Sequence, residues 1–457
     1  MMSRASGRHW CILTAVCTLM WGVYFIYDLP ASLSISLQAH LGLSDSKYAY
    51  LVSALYTAYA APNSILPFFS GPLVQRFGEK FALLLTLTSV VLGQLVFVFA
   101  VHIRFQSGMI LGRFLLGLGA EIMGVLGTEV TTRWFRDKRL SLALAMNLAS
   151  WRLGSVTNSI LVPRLAKVHG VVAAGWMGTV LALGVSILSA TYLMSIKDSV
   201  SSVTGDHGGE GEVEERERDI GIPASFSKYP WIFWQLGLIC MLGYGSINTF
   251  TNSAQRFLAF TFYGGDQRAA GSATSIPYIL SSVLVPPLGL LLDLPLFNHY
   301  PAALIITSLL MFLAHLIFLI SPGIGPIPPL CLLGIAYALF GVAFWTSLTR
   351  CLIFVGKTRS AAKHRGILQD APEGCYGTVD SDDANQDTDD SENHQEVITF
   401  GFGVNTSLMN MATGAVPILL AGAENFAGYA GLEMVFLALA GLGCLASVQL
   451  AWMWNGV

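Results

Sequence analysis

Apolar residues in this chain come in long stretches separated by short polar turns. Twelve stretches can be delimited, at 10–33, 48–74, 81–103, 108–132, 140–163, 171–195, 231–257, 269–296, 301–321, 327–354, 397–423 and 427–454. A helix needs about 20 such residues to cross a hydrocarbon layer ~30 Å thick, and each stretch is long enough. The pattern predicts an all-α polytopic membrane protein with twelve transmembrane helices. They fall as six and six, with residues 1–195 forming one half and 231–457 the other. A polar linker, 196–230, lies between them and holds Glu212-Val-Glu-Glu-Arg-Glu-Arg-Asp219. A second polar insertion, 356–396, separates the tenth and eleventh stretches and carries Asp387-Thr-Asp-Asp-Ser-Glu392 near its end. Neither can bury a core, so the linker is expected to be flexible or locally helical and the insertion disordered.

Composition sharpens this picture. Only 12% of the residues are charged and the mean hydropathy is +0.60, which excludes a soluble domain and makes the lipid bilayer the first partner. The net charge of −3 comes mostly from acids in the two polar segments, and it marks no nucleic-acid partner. Seven cysteines, an odd number, show no Cys-x-x-Cys or zinc-like spacing, so no disulfide framework, metal or other cofactor is expected. No nucleophile motif or phosphate loop is present, which argues against an enzyme. The first apolar run continues past residue 25 without a small-residue cleavage site, and so reads as a span rather than a cleaved signal. With the N-terminus in the cytoplasm, 17 of the 25 Lys and Arg fall on the cytoplasmic side and six on the other. That excess predicts that both termini are cytoplasmic.

Two charges lie deep inside the apolar stretches. Glu121 is 11 residues before Thr132 and Arg152 is 12 after Leu140. At 1.5 Å per residue they sit roughly 16 and 18 Å from the basic turn at 133–139, close to mid-depth. A charge there costs several kcal/mol unless it is paired or faces a water-filled cavity. Two readings follow: a substrate site, or an ion pair that locks two helices together. Tyr24, Tyr56, Asn63 and Asn158 are further candidates to line a cavity, with Tyr27 and Asn147 beside them. His315 stands alone in the ninth stretch, as a structural residue.

Several motifs carry a family resemblance. Gly71-Pro-Leu-Val-Gln75-Arg76-Phe-Gly78-Glu-Lys80 resembles the G-x-L-x-D-R-x-G-R-K loop of the major facilitator superfamily, departing from it at Gln75 and Glu79. Gly289-Leu-Leu-Leu-Asp293 is the counterpart in the second half, and Gly112-Arg113-Phe114 is another superfamily feature. Within the superfamily, the chain is similar to the lysosomal dipeptide uniporter branch. That likeness rests on Tyr24-Phe-Ile-Tyr27-Asp28-Leu-Pro, Pro62-Asn63, Gly117-Leu-Gly-Ala-Glu121, Trp134-Phe135, Arg152-Leu-Gly-Ser155-Val-Thr-Asn158, Leu332-Leu-Gly334-Ile-Ala-Tyr337 and Ala343-Phe-Trp345.

The resemblance implies transport of dipeptides by alternating access, with substrate contacts from Glu121, Arg152 and Trp345. Trp345 is about 14 Å from its end of the tenth stretch, at the same level as the two charges. It implies gating by the loop residues Gly71, Arg76, Gly78 and Asp293, with Asp28 at the outer gate. Arg113, counted with the gating residues, would lie near the outer interface, either snorkelling as a structural residue or serving the substrate. A glycosylated single-span accessory subunit and a lysosomal or endolysosomal membrane are also implied, the plasma membrane being the alternative. Uniport fits the sparse set of intramembrane carboxylates. Proton symport on Glu121 stays open, as does a sugar, amino acid or organic anion as cargo. Outside transport, a receptor or scaffold using the acidic insertion stays open too.

Overall fold

The apolar stretches form helices because a backbone within lipid must satisfy its own hydrogen bonds. The computed structural model describes residues 4–68, 76–135, 140–196, 229–293, 299–369 and 383–454 of the chain. In chain order these form α1 (Arg4–Tyr27), α2 (Leu29–Ser32), α3 (Ser34–Leu41), α4 (Asp45–Asn63), α5 (Glu79–His102), α6 (Gln106–Phe135), α7 (Leu140–Ser195), α8 (Trp231–Phe262), α9 (Gln267–Asp293), α10 (Tyr300–Ile320), α11 (Ile327–Gln369) and α12 (Asp383–Met453). Two of them are double. α7 turns back at Gly170, whose φ of 83° is open to glycine at no steric cost. α12 breaks at Ala427 and Gly428.

Among the described residues, eight helices are long and apolar enough to cross a membrane, and the two 54-residue stretches among them are long enough to cross twice. α4 and α8 supply the other two spans, and both are richer in polar residues. The fold is the expected twelve-helix one, with local differences. The second span, expected to run to residue 74, is α-helical only to Asn63 and is followed by one 3-10 turn at Leu66–Phe68. The insertion expected to be disordered is helical on both flanks, since α11 continues to Gln369 and α12 starts at Asp383. Acidic residues at a helix start are favoured by the helix dipole. The linker falls almost wholly on 197–228, outside the described residues.

Each half packs around its own apolar cluster, one running from Ile12 to Ile196 and the other from Tyr229 to Leu450. Polar pairs inside the halves tie spans together. Gln94 donates to Thr179 at 2.7 Å across α5 and α7. His315, expected to stand alone, is hydrogen-bonded through Nδ1 to Glu433 Oε2 at 2.7 Å, joining α10 to α12 with both residues buried. The partner was not evident in the sequence because it lies 118 residues away. Glu79, where the loop motif has arginine, forms an ion pair of 2.9 Å with Arg133 and braces α5 against α6.

The halves meet along α7 against α9 and α4 against α12. A Cβ on Gly271 would lie 2.3 Å from the Ser159 carbonyl oxygen, so only glycine lets α9 come this close to α7. Thr57 Oγ1 donates to the Gly414 carbonyl at 2.6 Å on the other seam. Small residues at such seams let the helix backbones approach closely.

Candidate functional site

Glu121, Arg152 and Trp345 come from three different helices and stand among aromatic side chains. Gly117, one turn before Glu121, allows α4 close to α6, since a Cβ there would lie 2.3 Å from the Tyr59 carbonyl oxygen. The approach brings the Tyr59 hydroxyl to Glu121, to which it donates at 3.3 Å. Arg152 is 5% exposed. Its Nη1 donates to the Ser281 hydroxyl on α9, and its guanidinium carbon lies 4.2 Å from the centre of the Tyr337 ring on α11. Glu121 and Arg152 therefore meet neutral hydroxyls and rings from other helices, and no ion pair joins them among the described residues. That sets aside the helix-locking pair.

Trp345 donates its indole N–H to the Tyr244 hydroxyl at 2.7 Å and stacks on Phe402 at 5.9 Å. On the opposite wall, Tyr24 stacks on Trp151 at 5.2 Å, and Asn147 fixes that indole by accepting its N–H at 2.9 Å. Tyr24 lies within electrostatic reach of Glu121 and Tyr337. The first half thus presents a carboxylate, a guanidinium and a tyrosine, and the second half presents a tryptophan.

Three other expected lining residues are turned elsewhere. Asn63 is fully buried and donates back to its own helix at the Tyr59 carbonyl, 3.0 Å away. Asn158 is also fully buried and ties α7 to α1 through the Phe25 carbonyl at 2.6 Å. Tyr56 is buried against Arg113. Arg113 does not snorkel to an interface: it is 0% exposed. It donates to the Ile26 carbonyl at 3.3 Å and faces the rings of Tyr27, Tyr56 and Tyr59, 5.2–5.3 Å away. Each desolvated cation–π contact contributes about 2 kcal/mol and offsets part of the burial cost. Asp28 is buried as well, with Ser155 beside its carboxyl group. Of the expected loop residues, Arg76 is exposed over the Phe77 ring and Gly78 takes a φ of 81° ahead of α5. Gly71 and the Asp293 side chain lie outside the described residues.

Two features were not read from the sequence. Tyr337, Ser281 and Tyr244 act on the charged and aromatic residues from the second half, and no spacing in the sequence ties them to Arg152 or Trp345. The other feature ties the two halves together near the end of α8. Arg256 on α8 donates to Gln38 at 2.6 Å and Asp45 at 2.8 Å in the first half, and lies 3.6 Å from Glu424 of its own half. Gln255 and Gln267 both donate to the Ser32 carbonyl, at 3.0 and 2.6 Å.

The chemistry of this tie gives a pH prediction. The Gln38 hydrogen bond and then Arg256 hold the Asp45 carboxyl below its ordinary 3.8. A depressed value means that the contribution is complete above the ordinary one and is lost only as pH falls through the lowered one. Asp45 is 81% exposed, so Asp45→Asn should weaken the tie by at most about 1 kcal/mol. The effect should be equal at neutral pH and at about pH 5, read as the distance between spin labels placed across this end. An effect that disappears at the lower pH would contradict the assignment.

Comparison with known proteins adds the following. A family model described as Major Facilitator Superfamily matches residues 10–361. The chain is 27% identical over 452 residues to the lysosomal dipeptide transporter MFSD1 of Bos taurus, covering 97% of this chain and 85% of the relative. It is 25% identical over 453 residues to the protein of that name from Homo sapiens, covering 96% and 85%. Among solved structures, that of a D-xylose-proton symporter superposes with a TM-score of 0.66 at 13% identity over 96% of both chains, a likeness of fold.

Proposed function

The chain belongs to the major facilitator superfamily, and from that premise we propose that it carries dipeptides across the lysosomal membrane as a uniporter. The observation that carries this reading is the pair Glu121 and Arg152, opposite charges at mid-depth whose partners are neutral. A dipeptide zwitterion has an ammonium at one end and a carboxylate at the other. Glu121 takes the ammonium. Arg152 grips the carboxylate as a two-pronged donor. Trp345 and Tyr24 form flat walls that accept many side chains, so recognition rests on the main-chain ends. The names of the MFSD1 relatives support the same cargo and membrane.

On this reading both termini are cytoplasmic, which puts the Arg256 contacts on the lumenal side, where they would hold the halves together in a lumen-closed state of an alternating-access cycle. Glu121 meets a tyrosine rather than a further carboxylate or a histidine, which favours uniport over a proton relay. The sequon Asn405-Thr-Ser407 starts at a fully buried asparagine of α12. A glycan-bearing accessory subunit would shield such a protein in a proteolytic compartment.

The test is dipeptide uptake by proteoliposomes holding the purified protein, with and without an imposed pH gradient. Saturable downhill uptake that ignores the gradient is the expected result. Accumulation driven by protons would replace uniport with symport. Failure of a folded protein to move any dipeptide of a panel would overturn the cargo assignment.

A further inference from the structure

Arg152 belongs to the first half, yet its partners belong to the second. Nη1 donates to Ser281 of α9, a residue with no exposed surface. The face of the guanidinium lies on Tyr337 of α11. Gly341, one turn further along α11, leaves the room for this, because a Cβ there would stand 3.3 Å from Nη2. The Nε proton is buried without a hydrogen-bond partner. A cation at the centre of the bundle is therefore held across the boundary on which the halves must move, with donor capacity to spare.

We propose that Arg152 is a latch between the halves of the empty carrier, and that a substrate carboxylate releases it by taking the guanidinium from Ser281. The proposal rests on reading the cavity as a dipeptide site. Ser281 and Tyr337 are then positioning residues, which hold the fork in place until cargo arrives. The direction of exchange follows from the acceptors. A hydroxyl offers one neutral oxygen, whereas a carboxylate offers two charged ones that match the fork, so one hydrogen bond is exchanged for a two-pronged pair of opposite charges. Tyr337 can keep its place, because it covers the plane of the guanidinium while the carboxylate approaches the edge. Release of Ser281 cuts a tie across the α7–α9 seam. That is the seam where Gly271 packs against Ser159 and the helix backbones approach closely. The loaded carrier consequently changes sides more easily than the empty one.

The measurement compares exchange of labelled dipeptide with net efflux into substrate-free medium, in proteoliposomes holding wild type, Ser281→Ala or Ser281→Thr. Wild-type exchange should exceed net efflux roughly ten- to a hundredfold, the worth of one hydrogen bond to a charged group. Ser281→Ala should raise net efflux until the ratio approaches one, without weakening apparent affinity. Ser281→Thr keeps the hydroxyl and should restore the wild-type ratio. A Ser281→Ala protein that slows both fluxes equally, or a wild type whose two fluxes are already equal, overturns the latch. Single-molecule distance recordings between the halves, made without substrate, separate this from the cargo assignment. Faster opening of the empty Ser281→Ala protein supports the latch even if wild type moves no dipeptide, and unchanged opening overturns it even if wild type does.

Discussion

Arg152→Ala is expected to reduce dipeptide uptake at sub-saturating substrate by roughly 30- to 1000-fold, corresponding to about 2–4 kcal/mol. The substrate carboxylate would otherwise enter a cavity whose walls are aromatic, and it would lose water without gaining an ionic partner. Arg152→Lys keeps the charge but not the planar two-pronged donor, so it should recover only part of the loss. The fold should survive the alanine variant. Arg152 contributes one hydrogen bond to Ser281 and one ring contact, while each half retains its own apolar cluster. Uptake kinetics on protein of unchanged size-exclusion profile check this, and wild-type uptake by such a protein would remove Arg152 from the site.

Glu121→Gln should raise KM by roughly 10- to 100-fold, the value of about 1.5–3 kcal/mol for a hydrogen bond to a charged group. The substitution is nearly isosteric. The Tyr59 hydroxyl, which donates to Oε1 at 3.3 Å, can donate equally to the amide oxygen, so the local structure is retained and only the charge is lost. A shift in KM with the maximal rate nearly unchanged distinguishes loss of ammonium binding from damage to the moving seams. Equal kinetics in the variant and wild type would show that the ammonium binds elsewhere.

Depth could be counted from the sequence, and direction could not. Counting along the stretches puts Glu121, Arg152 and Trp345 at one level, and the structure sets Tyr59 against Glu121, Tyr337 against Arg152 and Tyr244 against Trp345. The same reasoning puts Asn63 and Asn158 among the lining residues, although Asn63 turns back to a carbonyl of its own helix and Asn158 to one of α1. A mid-depth polar residue can face water or an adjacent backbone, and periodicity does not separate the two when nearly every helix is apolar all round. Arg113 shows the same limit. Its distance from a loop gives its level along α6, and only the structure shows that three tyrosines from α1 and α4 face it there. Ser281 and Tyr337 could not be tied to Arg152 at all without knowing that α9 and α11 face α7 across the boundary. His315 and Glu433, on α10 and α12, depended in the same way on tertiary pairing.

The central claim is that one charged side chain reads each end of the peptide. Calorimetric binding to the purified protein of a free dipeptide, its N-acetylated form and its C-terminal amide, repeated with Glu121→Gln and Arg152→Ala, tests it most directly. Acetylation should weaken binding to wild type about as much as Glu121→Gln does, and should cost nothing further in that variant. Amidation should stand in the same relation to Arg152→Ala. End-blocked dipeptides that bind wild type as tightly as the free one would contradict the account.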